Sequence, residues 1–235
     1  AKAIPPWDPE DLAAKVASAY RSAQNAPGSA LPSAEFEAFP DFDAGDGPVA
    51  KKPANPLTVI SATDFAGKPV PPREWEVTDW IPSRTVTLLS GDGGTGKSLL
   101  ALQLAVAAAT GGTWLGKHPK HGRALYLSAE DDTDELHRRL SDIAGATDIS
   151  LRDLQGLKIV PLAGKDALLA TQDDRAGKLR RTELFTSVET ILADFKPRLL
   201  VLDTLADLYG GNENDRAQVR QFIGMLRGWA LRHRL

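Results

Sequence analysis

The sequence predicts an α/β fold in which a mostly parallel sheet is flanked by helices, and three observations predict it. Short apolar runs alternate with longer segments of helical periodicity from residue 81 onward. The run at 85–90 ends in a glycine-rich loop. The run at 198–203 is apolar between its terminal charges, as expected of a strand covered on both faces. Strands that alternate with helices in this way are joined by crossovers into a parallel sheet.

Each element has its own local signal. Residues 98–110 are apolar on nearly every side, which indicates a buried helix, and two glycines follow it. Residues 133–143 carry charges on one face, as expected of a surface helix. The pattern at 157–162 is a weaker strand signal. The predicted strands are 85–90, 123–128, 157–162 and 198–203, and the predicted helices are 98–110, 133–143, 183–195 and 215–232.

Composition limits the function classes. The 235 residues are 42% hydrophobic and 25% charged, which is enough for one domain with a packed core. No apolar run approaches the roughly 20 residues that cross a bilayer, so we expect no membrane contact. The absence of cysteine excludes disulfides and thiolate chemistry, which suits a cytoplasmic protein. The net charge of −3 means that any nucleic-acid contact must be local.

The distribution of proline divides the chain, since 13 of the 16 prolines precede residue 83. Residues 1–25 are predicted to be a short helical segment, with an amphipathic helix at 8–24. Residues 26–80 are rich in Pro, Ala, Gly and acidic side chains, which is typical of a linker or extended arm. A segment that folds on contact with a partner is the alternative. The predicted core is 81–235.

A phosphate-binding loop is the most specific motif in the sequence. Residues 91–98 match G-x-x-x-x-G-K-[ST], directly after a predicted strand and directly before a predicted helix. Such a loop turns its backbone N–H groups toward phosphate oxygens, and the helix adds its positive end. Lys97 is predicted to neutralise the β- and γ-phosphates, and Ser98 to bind Mg²⁺. The predicted ATP-binding residues of the loop are Gly91, Asp92, Gly93, Gly94, Thr95, Gly96, Lys97 and Ser98.

Two carboxylates at predicted strand ends complete the chemistry of an ATPase. Asp203 ends the apolar run at 198–203 and is predicted to lie at the Mg²⁺ ion with Ser98. Glu130 follows the strand at 123–128 and is the candidate base, or water-orienting group, for hydrolysis. Lys97, Glu130 and Asp203 are therefore the predicted catalytic residues. Asp131 and the next residue are expected to complement a helix dipole.

Two groups of basic residues leave alternatives open. Arg138 or Arg139 could stack on the nucleobase, and Arg139 is kept as a predicted ATP-binding residue. Ion pairs with Glu135 at i,i+3 and i,i+4 are an equal alternative. Residues 178–181 are the densest basic cluster and the one local candidate for nucleic acid, although a solvated helix start is favoured. Four histidines lack metal-ligand spacing and are expected at the surface, namely His118, His121, His137 and His233.

Several separate motifs, which follow one another along the chain in the family's order, resemble the RepA-like branch of the hexameric RecA-fold ATPases of plasmid and phage replication proteins. The resemblance covers residues 64–235. It implies a RecA-like P-loop NTPase fold, ATP and Mg²⁺ as cofactors, and ATP-driven movement of a homo-oligomeric ring, a hexamer, on single-stranded DNA. In it Glu130 is the catalytic carboxylate and Asp203 lies at the metal. The matching residues are Trp75, Trp80, Ile81, Pro82, 91–98, 125–132, Leu136, Arg139, 200–203 and 210–215.

The sequence departs from this family in one respect, and the resemblance leaves an alternative function open. Residues 6–28 look like the link to a primase-like domain in phage-type replication proteins. Cores of this family continue after the last helix with a strand ending in a polar sensor and an arginine that reaches a neighbouring subunit's ATP. Because the sequence stops at Leu235, we expect this chain alone to bind Mg-ATP and to turn it over weakly. The alternative is a non-catalytic, ATP-gated assembly or loading module. A small-molecule kinase would need an arginine-bearing lid that the sequence does not indicate.

Overall fold

The computed structural model describes residues 58–173 and 178–235. Contacts divide the chain into two compact units, 1–67 and 68–235. The described part of the first unit contains a short 3-10 helix, Ala62–Phe65. Ser61 caps it, because its hydroxyl accepts from the backbone N–H of Thr63. The predicted helix at 8–24 and the predicted linker up to residue 57 lie outside the described residues.

The second unit alternates strands and helices. The strands are β1 (Trp75–Val77), β2 (Ile81–Pro82), β3 (Ala124–Ser128), β4 (Leu157–Pro161), β5 (Ala170–Asp173), β6 (Lys178–Arg181), β7 (Leu199–Asp203) and β8 (Tyr209–Gly210). The helices are α1 (Lys97–Thr110), α2 (Thr133–Thr147), α3 (Glu183–Phe195), α4 (Leu205–Leu208) and α5 (Arg216–His233), with a 3-10 segment at Leu151–Gly156.

A parallel sheet of order β4-β3-β7 forms the centre of this unit. All five residues of β3 are buried, and they alternate between two apolar clusters. Ala124 and Tyr126 pack with α1 and α2, whereas Leu125 and Leu127 pack with α3 and α5. The sheet is therefore covered by helices on both faces, which confirms the predicted fold class.

Most of the predicted elements form within a few residues of their predicted bounds. Helices α1, α3 and α5 match closely, and α2 continues from the predicted end to Thr147. The burial pattern explains this agreement, because α3 and α5 each bury one apolar face, whereas α1 is buried on several sides, as its apolar composition predicts. Stacking of Phe185 on Trp229, with ring centroids 4.1 Å apart, joins α3 to α5. None of the described helices is long and apolar enough to span a bilayer.

The strand predicted at 85–90 is wrong. These residues form no ladder, and Leu88 and Leu89 are 62% and 53% exposed. Both line an apolar cleft of about 350 Å³ together with β7, which is one of the two edge strands of the sheet and pairs with β3. A β-branched apolar run favours a strand, but a strand also needs a hydrogen-bonded neighbour. Residues 85–90 pair with none of the described strands, although β7 beside them pairs only with β3 among these strands.

The helix start predicted at 178–181 is also wrong. These residues form β6, which pairs antiparallel with β5, while β5 pairs parallel with β8. Helix α3 begins only at Glu183, because Thr182 caps it by accepting from the N–H of Phe185. Within β6, Leu179 is buried and its neighbours are exposed, which is the period-two pattern of a strand. This second sheet, of order β6-β5-β8, was not predicted.

Strand β1 lies inside the segment predicted to be a linker and pairs with β2, which opens the predicted core, although the predicted domain boundary at residue 81 stays a prediction. Val77 is fully buried, and Glu76 is 7% exposed. Glu76 accepts from the Ser83 hydroxyl at 2.5 Å and pairs with Arg198 at 2.7 Å. A buried carboxylate requires such partners. Strand β1 is therefore joined to the residue that precedes β7.

Candidate active site

The loop at 91–98 has the backbone that its glycines permit. Gly94 and Gly96 have φ of 73° and 81°, a left-handed conformation that costs other residues about 1 kcal/mol or more. Gly96 is the N-cap of α1, so the helix begins directly at Lys97. The Lys97 ammonium donates to the carbonyl oxygens of Gly91 and Asp92, at 2.8 and 2.6 Å. The cation therefore lies over the mouth of the loop.

Asp203 connects the loop to the central sheet. Its Oδ1 accepts from the Ser98 hydroxyl at 3.0 Å, and its Oδ2 accepts from the Tyr126 hydroxyl at 2.8 Å. The side chain is buried, with 7% of the residue exposed. Tyr126 also lies 3.2 Å from the Ser98 carbonyl oxygen. The two predicted metal ligands, Ser98 and Asp203, are thus brought together by one hydrogen bond, and tyrosine holds the carboxylate from the sheet side.

The ends of β3 and β7 meet because the strands are parallel and in register, with Ser128 opposite Asp203. The N–H of Ala129 donates to the Asp203 carbonyl oxygen at 2.6 Å. The chain then leaves the sheet, and Glu130 lies exposed beside the loop. The carboxyl ends of neighbouring strands thus bring Glu130 and Asp203 to one edge, as predicted for this type of sheet.

The pKa of Glu130 is raised above its usual value. Loss of solvent around the carboxylate is the main cause, and the negative charges of Asp203, Asp207 and Asp131 add to it. Lys97 opposes the shift. A carboxylate with a raised pKa at the end of a strand is the behaviour expected of a group that accepts protons.

Arg139 forms the second charged cluster of the site. Its guanidinium pairs with Asp131 at 2.5 Å and with Glu135 at 2.9 Å, while Arg138 pairs with Glu135 at 3.0 Å. The ion-pair alternative is therefore the one present for both arginines. Burial raises the pKa of the Asp131 carboxyl, and Arg139 opposes this shift. Arg139 nevertheless lines the same pocket as the loop, so its nucleotide contact stays a prediction.

A pocket of about 710 Å³ is lined by the phosphate-binding loop, Glu130 and Arg139. It extends from the loop, past α1, to one face of α2. Its volume lies within the 300 to 1,000 Å³ range of typical small-molecule sites. The lining residues are Gly93, Gly94, Thr95, Gly96, Lys97, Ser98, Leu99, Gln103, Glu130, Glu135, Arg139, Asp142, Ile143, Ala146 and Thr204.

The donor set fits a magnesium nucleotide. Hydroxyl and carboxylate oxygens, such as those of Ser98 and Asp203, are the ligands that Mg²⁺ prefers. The N-terminus of α1 and the Lys97 ammonium match the negative charge of phosphates. No cluster of three or more histidine, aspartate or glutamate side chains suited to a metal ion occurs in the described parts of the chain. His118, His121 and His137 are exposed as predicted, but His233 is half-buried.

Two features of the site were not predicted from the sequence. The sequence indicates only that Tyr126 belongs to a strand, although a tyrosine in a fully buried strand needs a partner for its hydroxyl, and that need is the available signal. The second is Asp207, whose carboxylate accepts from the Thr204 hydroxyl in the turn after β7. Asp207 lies in the sequence as an ordinary acidic residue, and nothing in its spacing relates it to Glu130.

The fold and the site together define a P-loop nucleotide-binding protein with a RecA-like core. A family model described as AAA domain matches residues 50–235, which is well over half of the chain. The protein belongs to this family of P-loop ATPases.

Proposed function

We propose that this chain is the Mg-ATP-binding and hydrolysing motor domain of a DNA helicase or translocase of the RepA-like type. The observation that carries the proposal is the joining of Ser98 to Asp203 by a hydrogen bond, with Glu130 at the same edge of the sheet. A loop that only bound phosphate would need neither carboxylate. The sequence resemblance supplies the motor function and the homo-oligomeric ring, which here are part of the proposal.

The chain's own residues divide the chemistry between them. Lys97 and the loop N–H groups bind the phosphates and neutralise their charge. Ser98 and Asp203 hold the metal ion, which when bound polarises the phosphate oxygens. Glu130 orients a water molecule and accepts its proton. Tyr126 keeps the Asp203 carboxylate in its orientation through the hydrogen bond at 2.8 Å.

The small number of cations in the pocket favours an enzyme that is assembled from several subunits. Among the described residues that line the pocket, the cations are Lys97 and Arg139, and Arg139 is paired with Asp131 and Glu135. An arginine supplied from a neighbouring subunit is worth about 10³ to 10⁵ in the rate of phosphoryl transfer. We therefore propose that the chain alone binds Mg-ATP but turns it over weakly. The same shortage of charge favours the second candidate, an ATP-gated assembly module.

Two substitutions test the proposal. Lys97→Ala removes the charge at the phosphates and should abolish binding of a fluorescent ATP analogue. Glu130→Gln removes the proton acceptor but keeps its size, so ATP binding should persist while turnover falls by about 10² or more. Turnover is measured as phosphate release, with and without single-stranded DNA.

Asp134→Asn is the matched control, because Asp134 is an exposed carboxylate in the first turn of α2, outside the pocket lining. It should leave binding and turnover unchanged. An assembly module would show no change of function in Glu130→Gln and nucleotide-dependent assembly in the parent protein. Normal turnover by Glu130→Gln would contradict the catalytic assignment.

A further inference from the structure

Helix α5 has an exposed face made of arginines. Its opposite face is buried in the core through Phe222 and Trp229. Arg216, Arg220 and Arg227 are exposed, and at about 100° per residue they lie within about 40° of one another around the helix. They extend over about 16 Å along its axis. We call these three residues the arginine row.

The arginine row has no acidic counterpart on its own helix. Residues 216–235 contain five arginines and no aspartate or glutamate. No residue in the described parts of the chain forms an ion pair with Arg216, Arg220 or Arg227. Exposed helix faces usually mix charges of both signs. The chain as a whole carries a net charge of −3, so this cationic face is a local feature.

The arrangement lowers the stability of the helix. Arg216 and Arg220 are like charges at i,i+4, which repel each other. Arg216 also stands in the first turn, where the helix dipole favours negative side chains. Neither folding nor packing of α5 benefits from these three charges. A bound anion would offset both effects.

The neighbouring strand β6 adds further cations at a fixed place. The Gln221 side-chain amide donates to the Leu179 carbonyl oxygen and accepts from the Leu179 N–H, both at 3.0 Å. These two bonds attach the edge strand to α5 at Gln221, the residue that follows Arg220 in the sequence. Lys178 and Arg180 flank Leu179 and are exposed. One side chain therefore holds the basic strand β6 against α5, the helix that carries the arginine row.

We propose that the arginine row and the exposed cations of β6 bind the phosphate backbone of single-stranded nucleic acid. Guanidinium groups match phosphate oxygens in a planar fork, and a row of them follows a chain of phosphates. No aromatic side chain is exposed on α5, so the contacts are with the backbone and independent of sequence. The choice of a single strand rests on the proposed motor function.

The exposed side chains of α5 argue against binding to a lipid membrane. Leu231 is the one large apolar side chain that is markedly exposed on α5. An interfacial helix needs a broad apolar face on its lipid side, and that face of α5 is already buried in the core. Only the positive charge of the arginine row remains available for binding. A polyanion neutralises that charge without requiring apolar side chains to insert into a membrane.

The test replaces Arg216, Arg220 and Arg227 by glutamine together and measures binding of a fluorescent oligo(dT) between about 50 and 200 mM salt. The affinity at low salt should fall about tenfold or more, and the slope of log K against log salt should become shallower by about 2, at about 0.7 per lost phosphate contact. Binding of the fluorescent ATP analogue should be unchanged, which also verifies that the variant is folded.

The matched control removes the same charge elsewhere, with Lys68→Gln, Lys120→Gln and Arg152→Gln combined. All three side chains are exposed and form no ion pair with other described residues. Equal loss of oligo(dT) affinity in both triple variants would reduce the effect to net charge and overturn the proposal.

Other outcomes would also overturn it. They are unchanged oligo(dT) affinity and salt slope in the arginine variant, loss of binding to phosphatidylserine vesicles in place of DNA, or an altered oligomeric state with DNA binding intact. Failure of the motor function is distinguishable, because it is measured by turnover of Glu130→Gln and not by DNA affinity.

Discussion

The hydroxyl of Tyr126 donates to Oδ2 of Asp203 at 2.8 Å, inside a sheet that buries both residues. This bond orients the carboxylate so that its other oxygen reaches Ser98 in the phosphate-binding loop. Burial, followed by the bond and the charge of Asp203, raises the pKa of the tyrosine well above its usual value. Tyr126 therefore stays protonated and can only donate to Asp203.

Tyr126→Phe should reduce stability and weaken the metal site together. One buried hydrogen bond contributes about 0.5 to 1.5 kcal/mol to the free energy of unfolding, and Asp203 would lose one of its two partners. We expect a lower midpoint in denaturant and a higher Mg²⁺ concentration for half-maximal binding of ATP. Tyr209→Phe is the control, since its hydroxyl bonds the Asn212 carbonyl away from the loop. Equal effects on Mg²⁺ dependence would contradict a specific role for Tyr126.

The central part of the fold could be predicted because its signals are local. The apolar faces of α3 and α5 match the period of a helix, α1 is a long apolar segment that ends at glycines, and β3 and β7 are short apolar runs. Ser98, Glu130 and Asp203 could be placed together because parallel strands bring their carboxyl ends to one edge. These predictions needed only the order of elements.

The errors have one physical cause, which is that pairing partners are not encoded in a local pattern. The run at 85–90 has a strand composition but no hydrogen-bonded neighbour. Residues 178–181 look like a charged helix start, yet pairing with Ala170–Asp173 makes them a strand. The bond from Tyr126 to Asp203 joins residues 77 positions apart. Only the fold determines such long-range contacts.

The raised pKa of Glu130 leads to two predictions of pH dependence. Its carboxylate must be ionised to accept a proton, so the turnover number should fall with decreasing pH already above the usual range for glutamate. The folded protein also holds this proton more tightly than the unfolded chain. The resulting stabilisation is complete below the unfolded pKa and is lost as the pH rises through the folded pKa.

Glu130→Gln should therefore unfold at a higher denaturant concentration than the parent protein at neutral pH. The difference should shrink as the pH falls below the folded pKa, where the parent carboxyl is protonated. Denaturant titrations at several pH values measure this. A constant difference across the range would show that the effect comes from packing and not from the charge.

Arg139 and Arg138 form a matched pair for testing the second cluster. Arg139→Ala leaves Asp131, whose side chain is 12% exposed, without its cation, whereas Arg138→Ala removes only an exposed partner of Glu135. Hydrogen bonds to charged groups contribute about 1.5 to 3 kcal/mol, so Arg139→Ala should lower the free energy of unfolding by about this amount. Arg138→Ala should change it by less than about 1 kcal/mol.

The same two variants test whether Arg139 contacts the nucleotide in addition to holding Asp131. If the guanidinium contacts the nucleotide, the affinity for ATP should fall several-fold in Arg139→Ala and stay unchanged in Arg138→Ala. Equilibrium binding of a fluorescent ATP analogue measures both. Loss of stability with full ATP affinity would limit Arg139 to holding Asp131 and the start of α2.

Ser98→Ala tests the metal site directly. The hydroxyl is proposed to bind Mg²⁺, while the loop N–H groups and Lys97 bind phosphate without it. The variant should therefore bind ATP equally in EDTA and in Mg²⁺, whereas the parent protein should bind more tightly with Mg²⁺ present. Ser141→Ala is the control, because that hydroxyl bonds the His137 carbonyl oxygen on the exposed side of α2. A full Mg²⁺ effect in Ser98→Ala would contradict its place in the metal site.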